Sequence, residues 1–283
     1  MAFALVGSIS AGSITNDNVT TAGLDTTGAT LLVAAVASGN GTRTLADSLT
    51  NTWIALTRRT QSASGDSIQL FYARPTTAQV GVGQTFTVTS TAQFPAVAVA
   101  AYSGRISSAL QSDADVGNAN TGSYTAVGPG EATPVDSNEL IVCAVEQNAA
   151  TAGNAITPAA FTIRETFTAT ANAFGLVLAD SIQTTPVSVA PRFSWTTAVT
   201  YAAAMSEWHV TPGTTSDDGT ATISDAWSAK RRFLQNWFAT NNPDVNVLLQ
   251  RWVEDDDATT PAGFADVANR MTLLERAMRG KTS

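Results

Sequence analysis

Cysteine and histidine are nearly missing from this chain, and charge is scarce. Cys143 is the single cysteine, so there is no intrachain disulfide and no cysteine-based metal site. It stands in the apolar run Leu140–Val145 and is expected as a buried small hydrophobe rather than a reactive thiol. His209 is the single histidine, and no G-x-S-x-G sequence occurs. A serine hydrolase of the usual kind therefore lacks its base and its nucleophile elbow. One His and one Cys also exclude the common zinc ligand sets. Charged residues make up 13% of the chain, about half the ~25% usual for soluble domains. The net charge is −8, and Lys230, Arg231 and Arg232 form one short basic cluster. Phosphate binding needs a basic footprint, so nucleic acid is not an expected partner. No apolar run approaches the ~20 residues that span a membrane. Leu31–Val36 followed by Ala37 imitates a signal peptide, but Asp17 and Asp25 precede the first basic residue, Arg43. A secretory signal starts with a positive region, so none is expected.

The acidic residues form no recognisable constellation. Glu146, Glu165, Asp180 and Glu207 fall on separate predicted strands, without the close spacing on one strand face that jelly-roll glycosidases use. Asp113 and Asp115, Asp217 and Asp218, and Glu254–Asp257 read as solvated turns, since none matches a calcium loop. No glycine-rich phosphate loop precedes a helix. No catalytic, cofactor-binding or metal-ligating residue is assigned, and no enzyme activity or cofactor is expected.

What is present is a strand-forming sequence. Hydrophobic residues make up 44%, and Thr, Ser, Asn and Ala fill the places that charges leave. Phe86 and Val88 alternate with Thr85, Thr87 and Thr89. Phe161, Ile163 and Phe167 alternate with Thr162, Arg164, Thr166 and Thr168. Such a period of two marks strands with one buried face. Leu31–Val36, Ala96–Ala101, Leu140–Val145, Phe174–Leu178 and Tyr201–Met205 are continuously apolar and predict central strands covered on both faces. Turn clusters separate these runs, among them Ser38–Gly41, Ser64–Asp66 and Val127–Gly130. The expected fold is mainly β, an antiparallel jelly-roll-like sandwich over residues 1–211.

That sandwich is expected to consist of two related halves. TLLVAAVAS at Thr30–Ser38 matches ELIVCAVEQ at Glu139–Gln147. Ile68–Thr77 resembles Leu176–Thr185, Thr85–Thr89 resembles Arg192–Thr196, and Ala96–Tyr102 resembles Ala202–Trp208. The order is kept, and the offset drifts only from 109 (residue 30 to 139) to 106 (residue 96 to 202).

After Val210 the pattern changes. Residues 212–223 read as a polar linker and 224–283 as a tail of about three helices. Ser224 can cap the first, with Asp225 in its first turn. Trp227, Leu234, Trp237 and Phe238 form a stripe at helical spacing, with Phe233 beside it. Pro243 starts a second, short helix carrying Val247, Leu248 and Trp252. Thr260-Pro261 starts a third, with Phe264, Val267, Ala268, Met271, Leu274 and Met278 on one face and Gly280 at its end. Such a stripe is expected to be buried against the sandwich, against the tail's own helices, or against a neighbouring subunit. For the last case the candidate assembly residues are Trp227, Phe233, Leu234, Trp237, Phe238, Trp252, Phe264, Met271 and Leu274.

Three short elements carry a resemblance. They are Ile14–Gly23 with the following Asp25–Val33, Asp47-Ser48 with Asn51-Thr52-Trp53, and Ala101-Tyr102-Ser103-Gly104. Over residues 1–210 the chain resembles a family of jelly-roll-like β-sandwich proteins of tailed phages and prophages. That resemblance implies an accessory virion protein, a capsid decoration or head–tail component. It would assemble in the host cytoplasm, with other virion proteins or copies of itself as partners, and no functional residue is carried over because the family offers no catalytic set. The alternative expectation is a carbohydrate- or receptor-binding tail module, with Tyr102, Tyr124, Trp53 and Trp195 as candidate stacking residues. Trp53 and Trp195 are expected in strands, within the core.

Overall fold

The computed structural model describes residues 3–208, apart from 15–16, 40, 62–64, 92–93, 105–114, 135–137, 149–154 and 170–173, and apart from the side chains of 120 and 121. The chain divides into two compact units, Met1–Gly213 and Thr214–Ser283. All described residues belong to the first. The linker, the predicted helices, the nine candidate assembly residues and His209 lie outside the described residues.

The described unit is built from antiparallel sheets with sandwich packing. In chain order the strands are β1 (Ala4–Gly12), β2 (Asn18–Thr20), β3 (Leu31–Ser38), β4 (Arg43–Asp47), β5 (Ile54–Ala55), β6 (Arg59–Thr60), β7 (Ser67–Ala73), β8 (Phe86–Ser90) and β9 (Ala96–Ser103). There follow β10 (Asp115–Val127), β11 (Glu139–Gln147), β12 (Ala155–Thr157), β13 (Thr162–Ala169), β14 (Phe174–Gln183) and β15 (Arg192–Trp208). One 3-10 turn, Thr77–Gln79, interrupts the strand series. The first large sheet has the order β1-β9-β3-β7-β5, with β6 also on β7, and the second has β10-β15-β11-β14-β13, with β12 on β15. A small sheet, β2-β8-β4, covers the outer face of the first.

The five continuously apolar runs all lie in large-sheet strands and are buried along their length. Side chains alternate across a strand, so each of these strands feeds two cores. Leu31, Val33 and Ala35 of β3 enter a core shared with Leu140, Val142 and Ala144 of β11. Leu32, Ala34 and Val36 face the small sheet, against Phe86 and Val88. Ile141, Cys143 and Val145 face an outer layer that includes Phe161, Phe193 and Trp195. The two large sheets thus pack face to face, each with its own outer layer. Fully burying one Leu, Ile, Val or Phe is worth roughly 1.5–3 kcal/mol, which is why these runs tolerate no polar alternation.

The two halves share strand order and register. In the first, Leu31 lies opposite Tyr102 and Leu32 opposite Ala73. In the second, Leu140 lies opposite Trp208 and Ile141 opposite Ser181, as in the first half. The small layers agree as well. Phe86 pairs with Asp47, and its counterpart Phe193 pairs with Ile156. The difference is one of continuity. Separate strands β8 and β9 of the first half correspond to the single long strand β15, and β1 with β2 to β10.

The joint between the halves has the pattern that a two-fold axis produces. Strand β1 packs on β13 while its counterpart β10 packs on β6; β9 packs on β14 while β15 packs on β7. Residue i of one half thus touches residue j of the other, and their counterparts repeat the contact, as in a symmetric dimer.

Candidate functional site

Two places gather polar side chains. The first is the joint itself. Tyr102 of β9 is fully buried, and its hydroxyl donates to Asp180 Oδ2 of β14 at 2.6 Å. Arg164 Nε of β13 donates to Asp180 Oδ1 at 2.8 Å. Burial pushes the Asp180 carboxyl up, and the Tyr102 and Arg164 donors partly counter this. Burial and the neighbouring carboxylate in turn push the Tyr102 phenol well above its ordinary value. Near the opposite end of β11, Gln61 Nε2 donates to Glu146 Oε2 at 3.0 Å. Burial raises the Glu146 carboxyl well above the usual range, and Asp66 adds to this. Arg59 and Asp115 form an ion pair at 3.5 Å, and Ser10 Oγ donates to Glu165 Oε2 at 2.8 Å. Each of these contacts ties one half to the other, except that of Arg164, which braces Asp180 from within its own half.

The acidic residues singled out in the sequence are therefore dispersed. Asp180 lies opposite Val142. Glu146 is four residues further along the same strand, about 13 Å away at strand rise. Both face the joint, whereas Glu207 lies opposite Ile141, on the other face of the sheet. Glu165 is on β13. Among the described residues no group of three or more His, Cys, Asp or Glu side chains is placed to hold a metal ion. Cys143 is fully buried, and burial pushes its thiol well up.

Two turn segments are pinned by side-chain hydrogen bonds. Asp47 Oδ1 accepts from the Leu49 N–H at 2.8 Å, and Oδ2 from Trp53 Nε1 at 2.7 Å. Asp25 Oδ1 accepts from the Thr27 N–H at 2.9 Å, and Thr26 Oγ1 donates to Gln84 Oε1 at 2.5 Å. These bonds fix chain reversals and supply no open reactive group.

The second place is an open groove of about 500 Å³ on the second half. Its wall is Tyr124, 43% exposed, and its floor includes Tyr201. The two rings meet edge to face, with centroids 6.0 Å apart. Asn118, Glu131 and Arg192 stand around them. The β10–β15 register shifts on either side of Tyr124, and such irregularities re-aim side chains. Trp195 Nε1 holds the Tyr124 carbonyl at 2.8 Å. Gly122 lies beneath the Tyr124 ring, where an added Cβ would come within 2.8 Å of it. Gly128 likewise admits the Pro191 carbonyl, which a side chain there would strike.

Of the four aromatic residues considered as stacking platforms, only Tyr124 is presented to a groove. Tyr102 is corrected to a buried joint residue: its hydroxyl is spent on Asp180. Trp195 is a core residue of β15, as expected. Trp53 departs from expectation in part: it precedes β5 instead of lying in a strand, with its indole anchored on Asp47, but it packs half-buried on the core, edge to face with Phe86. Glu131, Arg192 and Asn118 were not singled out, since they are dispersed in sequence; the meeting of β10 with β15 brings Asn118 and Arg192 together, and the Ala132–Val189 bridge with the Ser188 hydroxyl, which donates to the Glu131 carboxylate, places Glu131.

Comparison with protein-family models, curated proteins and solved structures finds no match for this chain.

Proposed function

We propose that this protein is an accessory structural component of a tailed-phage virion, a capsid decoration or head–tail protein that acts by assembly and not by catalysis. The observation that carries the reading is the use made of buried polar chemistry. Asp180 and Glu146, two buried carboxylates whose carboxyls burial pushes up, are occupied as hydrogen-bond acceptors across the joint. They serve the rigidity of a doubled sandwich.

Three further features support it. In the first half the strand order β1-β9-β3-β7 with β2-β8-β4 is compatible with a jelly roll. The resemblance over residues 1–210 points to the same architecture in phage accessory proteins. A charge-poor, hydroxyl-rich composition suits extensive contact with neighbours, because charges are depleted in interface cores. Within this reading the aromatic residues of the tail, Trp227, Trp237, Phe238 and Trp252 foremost, anchor the protein to partners or join its copies, since aromatic side chains dominate interface hot spots. Mass spectrometry of gradient-purified virions tests the proposal. The chain is expected among the particle proteins; its absence from them overturns the reading.

A further inference from the structure

We infer that the groove around Tyr124 is a saccharide-binding site, in which the exposed ring stacks on one pyranose face while Asn118, Glu131 and Arg192 bond its hydroxyls. The inference is independent of the virion reading and adds a ligand to the second half alone.

The lining has the required mixture. A pyranose presents a face of C–H bonds carrying slight positive charge, and the face of an aromatic ring is negative. An edge-to-face partner holds the Tyr124 ring in place: Tyr201, at 6.0 Å and a near-perpendicular 86°. Ligand sites combine such apolar surface with a few polar groups that fix orientation. Here those groups are an amide, a carboxylate and a guanidinium, which between them donate to and accept from hydroxyls. A single arginine in a chain of net charge −8 is a poor match for a polyanionic phosphate ligand.

The duplication gives a second, independent argument. The halves share strand order and register, so the two can be compared position by position. The groove residues do not recur. By the register of β9 and β15 the counterpart of Tyr201 is Pro95, since Ala96 corresponds to Ala202. Thr85 stands where the second half has Arg192, and Ala11 where it has Asn118. The first half folds the same way without these side chains. Tyr201 packs in the second half's outer core, whereas the exposed side chains of Tyr124, Asn118 and Arg192 are peculiar to that half. The Trp195 to Tyr124 hydrogen bond and the close approach of Gly128 to the Pro191 carbonyl shape the concavity in which they stand.

The test uses the full chain on an array of immobilised hexose, N-acetylhexosamine and uronic-acid oligomers, followed by titration of the best binder with Trp fluorescence as the readout. The wild-type chain is expected to retain at least one saccharide class. Tyr124→Ala should weaken binding about tenfold or more, whereas Tyr124→Phe, which keeps the ring, should stay within about threefold. Arg192→Ala and Asn118→Ala alter exposed side chains and should weaken binding without a change in melting temperature, so the proposal stays testable even where Tyr124→Ala misfolds. Competition by the free monosaccharide separates recognition of one ring from recognition of a polymer on a cell surface. An array without any bound saccharide, or binding that survives both the Tyr124→Ala and Arg192→Ala substitutions unchanged, overturns the assignment.

Discussion

Tyr102 and Trp208 occupy equivalent positions in the two halves, and each reaches across the joint to the equivalent strand of the other. The Tyr102 hydroxyl meets Asp180 of β14, and Trp208 packs edge to face on Tyr72 of β7 with centroids 6.3 Å apart. Tyr72 is the counterpart of Asp180: each lies opposite the third residue of its central run, Val33 and Val142. One copy of the contact is a charge-assisted hydrogen bond and the other an aromatic pair.

Tyr102→Phe removes the hydroxyl and leaves a buried carboxylate with one donor fewer. The expected loss of stability is about 1–3 kcal/mol, seen as a lower urea midpoint at unchanged slope. A double-mutant cycle with Asp180→Asn should return a coupling on the order of 1 kcal/mol. Additive single effects would mean that the two groups do not interact.

Glu146 and Asp180 make stability depend on pH. Burial raises both carboxyls above their ordinary values, 4.5 and 3.8. The folded protein therefore binds these protons more tightly than the unfolded chain does. Their contribution is fully present below the ordinary values and is lost as pH rises through the folded ones. Glu146→Gln mimics the protonated form and keeps an oxygen to accept from Gln61. It should raise the melting temperature at about pH 8 more than at about pH 5. An equal effect at both would show that Glu146 titrates alike in the folded and unfolded states.

Cys143 should be inert until the chain unfolds. A disulfide reagent added to native protein is expected to react on the order of a hundredfold more slowly than with protein in denaturant, because access and the thiolate are both suppressed. Rapid native labelling would place the thiol at the surface.

Gly128→Ala puts a methyl group against the Pro191 carbonyl. A backbone cannot move aside as a flexible side chain can, so a cost of roughly 1–3 kcal/mol is expected. Thermal unfolding measures it. A neutral substitution would mean that the turn after β10 is looser than described.

The doubled fold was legible because its signal is dense. Runs such as Thr30–Ser38 and Glu139–Gln147 are buried on both faces, so each position admits few residue types and the duplicates still match. The joint was not legible, since Tyr72 in one half stands where Asp180 does in the other, and nothing in the two side chains reveals the equivalence. Trp53 was misplaced for a related reason: a large apolar residue beside Ile54 reads as strand, whereas an Asp47 hydrogen bond six residues away decides its position. The groove was hinted at by Tyr124 alone. Its polar residues come from distant segments, joined by the long pairing of β10 with β15 and by the Ala132–Val189 bridge.

Assembly through the aromatic tail is the central functional claim, and sedimentation of the full chain beside a chain ending at Gly213 tests it most directly. The account predicts that the full chain is an oligomer and that the shortened chain is a monomer with the same melting temperature. A full chain that sediments as a monomer, with the shortened form destabilised, would contradict it and assign residues 224–283 to completing the fold.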